Sequence, residues 1–209
     1  MTEDDARQWL VNRLSVPRET MANLGNFLEC VIAENGRQNL ISRSTECQIW
    51  ARHAVDSAQL LPLAAPGGTW IDLGSGSGFP GMVIAVIGRR EVTLVEARRR
   101  RVEFLNAVVG SLNLGARVQV EGRRAETIDP LPFDTISARA FAPIERLFEI
   151  GVRFAGPTTR WLLPKGRSAQ AELEAAERTW QGKFRIEPSV TDPDSAIIVA
   201  EQVRPRKQR

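Results

Sequence analysis

Between residues 70 and 81 the chain reads Trp70-Ile71-Asp72-Leu73-Gly74-Ser75-Gly76-Ser77-Gly78-Phe79-Pro80-Gly81, an apolar run followed by four glycines within eight positions. No other stretch limits the fold as strongly. The apolar run predicts a buried strand, and the residues after Pro80 are apolar enough to predict a helix with the proline in its first turn. Glycines between a strand and a helix let another molecule approach the backbone, and the helix N-terminus offers N–H donors to an anionic group. An ordinary strand-to-helix turn does not need so many glycines.

The rest of the chain fits this unit. Thr69–Leu73, Val92–Val95, Arg117–Val120, Asp134–Ala138 and Arg160–Leu163 read as buried strands, and residues 80–88, 98–113, 143–154 and 169–181 as helices between them. Such alternation predicts an α/β fold with a mostly parallel sheet. Lys183–Val190, the turn Asp192-Pro193-Asp194 and Ala196–Val203 predict a closing hairpin whose last strand runs antiparallel to the others. This Rossmann-like pattern is that of class I S-adenosylmethionine-dependent methyltransferases. Residues 3–61 read as helical. Met21, Leu24, Phe27, Leu28, Val31 and Ile32 form one helical face, and Thr45 is placed to cap a further helix running to about Leu61. On that helix His53, Asp56 and Ser57 share a face. Pro66-Gly67-Gly68 marks the change of pattern. The chain thus divides into an N-terminal helical extension, residues 1–64, and a ligand-binding domain, residues 65–209.

Composition excludes several classes. With two cysteines, Cys30 and Cys47, and one histidine, His53, neither a disulfide framework nor a four-cysteine or multi-histidine metal site is available. No metal is therefore expected. No apolar run is long enough to span a membrane, and the acidic start Met1-Thr2-Glu3-Asp4-Asp5 is unlike a secretory signal, so a reduced cytoplasmic protein is expected. Of the 28 basic residues all but Lys165, Lys183 and Lys207 are arginines. They cluster at Arg98–Arg101, at Arg123-Arg124 and in the tail Arg204-Pro205-Arg206-Lys207-Gln208-Arg209, which favours nucleic acid over a merely solvated surface.

Two acids bear on the ligand of the glycine loop. Gly76, Gly78 and Gly81 fit a dinucleotide pattern, which would make the chain an NAD-dependent oxidoreductase. The same stretch fits Asp-x-Gly-x-Gly-x-Gly. A carboxylate at Asp72 would repel a pyrophosphate and suits the cationic S-adenosylmethionine. Glu96, ending the next strand, is placed to accept adenosine ribose hydroxyls in either case. Among methyl acceptors, a cytosine ring carbon needs a cysteine nucleophile, and both cysteines precede the loop. An exocyclic amine calls for an Asn/Asp-Pro-Pro-aromatic loop after the fourth strand, where this chain has Ser137-Ala138-Arg139-Ala140-Phe141. A ribose site would place an aspartate where Arg139 stands. A guanine N7 needs no general base, only proximity, orientation and charge balance. A non-catalytic RNA-binding module on the same fold is the remaining rival.

From about Asn39 to Val203 the sequence resembles the GidB-type bacterial methyltransferase G family. The resemblance rests on Asn39-Leu40-Ile41-Ser42, Arg52-His53-Ala54-Val55-Asp56-Ser57, Asp72–Gly81, Arg101-Val102-Glu103-Phe104-Leu105, Arg124-Ala125-Glu126, Ser137–Phe141 and Leu163-Pro164-Lys165-Gly166, in this order. It implies methylation of N7 of guanine 527 in 16S ribosomal RNA by S-adenosylmethionine, on the naked RNA or the small ribosomal subunit, by an enzyme expected to be monomeric. It further implies that Gly74 and Phe79 line the cofactor loop, that Ala125 and Glu126 contact the adenine, and that Arg139 closes the pocket. Asp72, Gly76, Gly78 and Glu96 complete the expected cofactor set. Arg139 and Lys165, at the ends of the fourth and fifth strands, are the expected catalytic residues. His53 reads equally as a core histidine bonded to Asp56 and as a hinge or RNA contact.

Overall fold

The computed structural model describes residues 1–65 and 68–206; the Pro66-Gly67 break and the last three residues of the basic tail lie outside the described residues. A seven-stranded sheet with order β3-β2-β1-β4-β5-β7-β6 forms the centre. Its strands are β1 (Thr69–Leu73), β2 (Glu91–Val95), β3 (Val118–Glu121), β4 (Phe133–Ser137), β5 (Ala155–Lys165), β6 (Trp180–Pro188) and β7 (Ala196–Pro205). β1 to β5 pair in parallel, and β7 inserts antiparallel between β5 and β6. The last strand therefore runs against the rest, as the Asp/Pro turn requires.

The sheet is covered on both faces, which is why β1 is buried along nearly its whole length. One face packs α4 (Gly81–Gly88) and α5 (Arg99–Ser111) together with the N-terminal helices α1 (Glu3–Leu14) and α2 (Arg18–Gln38). Phe27, Leu28 and Val31 of α2 share a single core with Met82, Leu94 and Leu105. The other face packs α6 (Ile144–Gly151) and α7 (Ala169–Ala176) over Ile71, Ile136 and Trp161. Between β3 and β4 stands only a short 3₁₀ turn, Ala125–Thr127.

Three local expectations are corrected. Ile32 lies at the margin of the α2 stripe and is exposed. The helix expected over 169–181 ends at Ala176, because Trp180 is drawn into the second core against Phe148 and opens β6 opposite Pro205. The helix expected from Thr45 to Leu61 is instead a 3₁₀ turn, Arg43–Gln48, a π-helical turn, Trp50–Val55, one α turn, α3 (Asp56–Ala58), and a second 3₁₀ turn, Leu61–Leu63. Thr45 caps no α-helix; it lies inside the first 3₁₀ turn, its hydroxyl donated to the Ser42 carbonyl at 2.8 Å. Glu3 of α1 accepts the N–H groups of Trp50 and Ala51 at 3.1 and 3.0 Å, so α1 caps the π turn from outside its own segment. π turns are rare and recur at functional sites.

Candidate active site

The order of the sheet reverses between β1 and its neighbours β2 and β4, so the loops leaving β1 and β4 diverge and open a crevice at the carboxyl ends of the strands. Asp72, at the end of β1, is fully buried beneath the glycine loop. It accepts the Ser137 hydroxyl at 2.6 Å and the Gly81 N–H at 3.2 Å. The Trp70 indole donates to the same Ser137 oxygen at 2.8 Å, so β1, β4 and the start of α4 are clasped around one carboxylate. Burial pushes the Asp72 carboxyl up to about 6, against hydrogen bonds from Ser137, Ser75 and Gly81 and the charge of Arg139.

Above the clasp, Gly74 has φ +71°, and a Cβ there would stand 2.2 Å from Phe141 Cδ2. The Phe141 ring can lie on the loop only because residue 74 has no side chain. Glu96 is buried and accepts the Gly76 N–H at 3.0 Å and the Arg98 N–H at 2.8 Å, tying the loop to the end of β2. A cavity of about 380 Å³ opens here, lined by Gly74, Glu96, Ala125, Glu126, Ala140 and Phe141, with Arg98, Arg101, Arg123 and Arg124 completing its wall. The structure thus gathers Gly74, Glu96, Ala125 and Glu126 around one space. The Glu126 carboxylate itself turns outward to Arg146 at 2.8 Å. Arg98–Arg101 divides: Arg98 and Arg101 line the cavity, whereas Arg99 pairs with Glu103 at 2.8 Å on the solvent side of α5.

A second cavity of about 360 Å³ meets the first at Ala140, a non-glycine residue with φ +51°. Such a conformation stores strain and is concentrated at functional sites. Arg139 stands in its wall. Its guanidinium donates to Arg52 O and Asp56 Oδ2, both at 3.4 Å, meets His53 Nδ1 at 3.1 Å and lies 5.1 Å from the Phe79 ring centre. His53 stacks on the same ring, 4.9 Å from the Phe79 centre, and its Nε2 faces Thr45 Oγ1 at 2.9 Å. Burial, reinforced by the charges of Arg139 and Arg52, pushes the imidazole down to about 3. His53 and Asp56 do not bond each other, as the sequence suggested; both bond Arg139. Ser57 is turned away, its hydroxyl donated to the His53 carbonyl.

Lys165 is expected to reach a base or phosphate, yet its Nζ is turned inward. It donates to Ala142 O at 3.0 Å and to Glu172 at 2.8 Å, and so holds the segment that follows Arg139. The sequence reading missed the far wall of this cavity. The β6–β7 turn reaches back to the π turn: Thr191 donates to Asp56 at 3.0 Å, Asp192 pairs with Arg52 at 2.7 Å and Ser189 accepts from Gln59 at 3.1 Å. Nothing in the local pattern of those residues marks contacts made so far along the chain. Among the described residues no group of three or more His, Cys, Asp or Glu could hold a metal ion, and no helix is long and apolar enough to cross a membrane.

Comparison with known proteins places the chain in a family. The family model described as rRNA small subunit methyltransferase G matches residues 20–194. A protein of that name from Rhizorhabdus wittichii is 54% identical over 209 residues, covering 99% of this chain and 95% of its own. One from Zymomonas mobilis is 48% identical over 218 residues, covering 100% and 98%. A solved structure of an MtNAS variant in complex with S-adenosylmethionine superposes with a TM-score of 0.58 over 95% of this chain and 83% of that one; at 20% identity it shows likeness of fold alone.

Proposed function

The chain belongs to the rRNA small subunit methyltransferase G family, and from that premise we propose that it methylates N7 of a guanine, position 527 of 16S ribosomal RNA. The methyl donor is S-adenosylmethionine, which supplies an electrophilic methyl on a sulfonium. The cradle suits that molecule. Gly74, whose missing side chain leaves room beside Phe141, lines a cavity with Glu96, Ala125 and Glu126. We assign these four residues, with the loop residues Gly76, Gly78 and Phe79, to holding the cofactor. Asp72 shapes the loop from beneath.

The observation that carries the N7 assignment is that the titratable acceptors lining the second cavity are already engaged. Asp56 accepts from Arg139, Gln59 and Thr191. Glu172 accepts from Lys165 and Ser168. His53 turns Nδ1 to Arg139. An exocyclic amine or a ribose hydroxyl must lose a proton on methylation, whereas guanine N7 attacks with a lone pair and leaves a cationic base. Arg139 faces this cavity without repelling that cation strongly, because Asp56 beside it and Asp72 behind it offset its charge. Arg139 thus orients the base, and Lys165 holds the loop beside it. Family membership decides against the oxidoreductase reading and disfavours a non-catalytic module. We further read residues 1–64 as a helical cap on the domain of residues 65–209, the enzyme as a cytoplasmic monomer, and 16S ribosomal RNA or the small ribosomal subunit as its partner.

The experiment is transfer of tritiated methyl from S-adenosylmethionine to 16S RNA and to small subunits lacking the modification, followed by mapping through chemical cleavage at N7-methylguanine. A single cleavage at guanine 527 is expected. Incorporation on an exocyclic amine or a ribose, or none at all, overturns the assignment.

A further inference from the structure

The hydrogen bonds around the sole histidine fix its protonation without reference to any titration. Thr45 has one hydroxyl proton, and it is donated to the Ser42 carbonyl at 2.8 Å, which can only accept. The lone pairs of the same hydroxyl therefore face His53 Nε2 at 2.9 Å, so Nε2 carries the proton. At the other end, Arg139 Nη2 stands 3.1 Å from His53 Nδ1, and a guanidinium can only donate. Nδ1 must be bare. Two independent partners thus select the same neutral tautomer. A second proton would set two donors against each other, with Arg52 adding a further charge nearby.

The imidazole is not free to take a proton from a substrate, because its one lone pair is spent on Arg139. The lone pair does hold the guanidinium. Arg139 has two acceptors on the π turn, Arg52 O and His53 Nδ1, and a third on the α turn that follows it, Asp56 Oδ2; its Cζ lies 5.1 Å from the centre of the Phe79 ring, on which His53 itself stacks. Arg139 immediately precedes Ala140, the residue shared by both cavities.

We propose that His53 is a positioning residue for methyl transfer: as the Nε2–H tautomer fixed by Thr45, it locks the Arg139 guanidinium across Phe79 and so sets the segment on which the two cavities meet. The proposal rests on the reading of these cavities as cofactor and base sites. It extends that reading by giving the π turn a task.

The first test needs no RNA. Protein without an affinity tag, labelled with ¹⁵N at histidine and arginine, contains one imidazole. Its spectrum should show Nε2 protonated and Nδ1 bare from about pH 5 to pH 8, where a free histidine titrates, and the Arg139 guanidinium should show hindered rotation. His53→Asn, whose side-chain oxygen replaces Nδ1, should keep that hindrance; His53→Leu, which fills space without an acceptor, should lose it. Thr45→Val should leave Nδ1 bare, because Arg139 by itself still requires a lone pair there. The second test is single-turnover methylation at saturating cofactor and RNA. Misplacement of an orienting group costs roughly a hundredfold; that loss is expected for His53→Leu, with most of it restored in His53→Asn, while KM for RNA, read from a parallel titration of RNA, changes little. An imidazole that titrates near neutrality, or rotation and rate as good in Leu as in Asn, overturns the proposal. If wild-type protein methylates no RNA, the proposed function fails, and the spectra still decide whether His53 positions Arg139.

Discussion

Ser137, the last residue of β4, donates its hydroxyl at 2.6 Å to Asp72 at the end of β1, so the carboxylate beneath the glycine loop is held by the neighbouring strand and by its own helix start. Because Asp72 is fully buried, its carboxyl is held at about 6 against an ordinary 3.8. The folded protein therefore binds this proton more tightly than the unfolded chain. The stability linked to Asp72 is present in full below about pH 4 and is lost as pH rises through about 6. Urea unfolding of wild type and Asp72→Asn should show the difference moving in favour of the variant between pH 4 and 7, by on the order of 3 kcal/mol. A difference that is constant, or that moves the other way, counts against the buried clasp.

His53 acts with the opposite sign. Its imidazole is pushed from 6.5 down to about 3, so folding favours the neutral ring. The linked stability is present above about pH 6.5 and is lost as pH falls toward 3. Relative to wild type, His53→Asn should gain stability on acidification, by up to roughly 1.4 kcal/mol per pH unit below that point. Parallel denaturation curves for the two proteins from pH 7 to pH 4 would show that the ring is not held neutral.

Gly74 should tolerate no side chain. Left-handed backbone costs an alanine roughly 1–2 kcal/mol, and its Cβ would meet Phe141 at 2.2 Å. Gly74→Ala should weaken S-adenosylhomocysteine binding, read by calorimetry, and lower the melting temperature. Adding Phe141→Ala removes the collision but not the strain, so the double variant should recover only part of the loss. Additive effects in that cycle would mean the two residues do not press on each other.

The arginines should separate by position rather than by cluster. Arg98 and Arg124 line the cofactor cavity, while Arg99 is engaged by Glu103. Each phosphate contact removed should reduce the slope of log K against log salt by about one. Glutamine at Arg98 and Arg124 together should flatten the salt dependence of RNA binding, and Arg99→Gln should leave it unchanged. Equal slopes in all three proteins would mean that the rim does not meet the RNA.

Much of this was legible in the sequence because it depends on near neighbours. The glycine loop, the buried strands and the Asp/Pro hairpin follow from apolar periodicity and turn chemistry, which act over a few residues. The place of Glu96 at the end of the second strand, and the family motifs for Gly74, Ala125, Glu126, Arg139 and Lys165, also brought these residues forward as candidates. Tertiary structure decided where their polar atoms point. Lys165 turns inward because the Ala142 carbonyl and Glu172 await it there. The segment from Thr45 to Leu61 carries helical periodicity, yet it folds as 3₁₀, π and α turns held from elsewhere, Glu3 capping backbone N–H groups on one side and the Thr191-Asp192 turn engaging the Asp56 and Arg52 side chains on the other. His53 and Arg139 are too far apart along the chain for any local pattern to report their bond. A buried polar atom must find a partner wherever the chain supplies one, and the loop that follows β4, whose approach to the π turn no periodicity encodes, supplies it here.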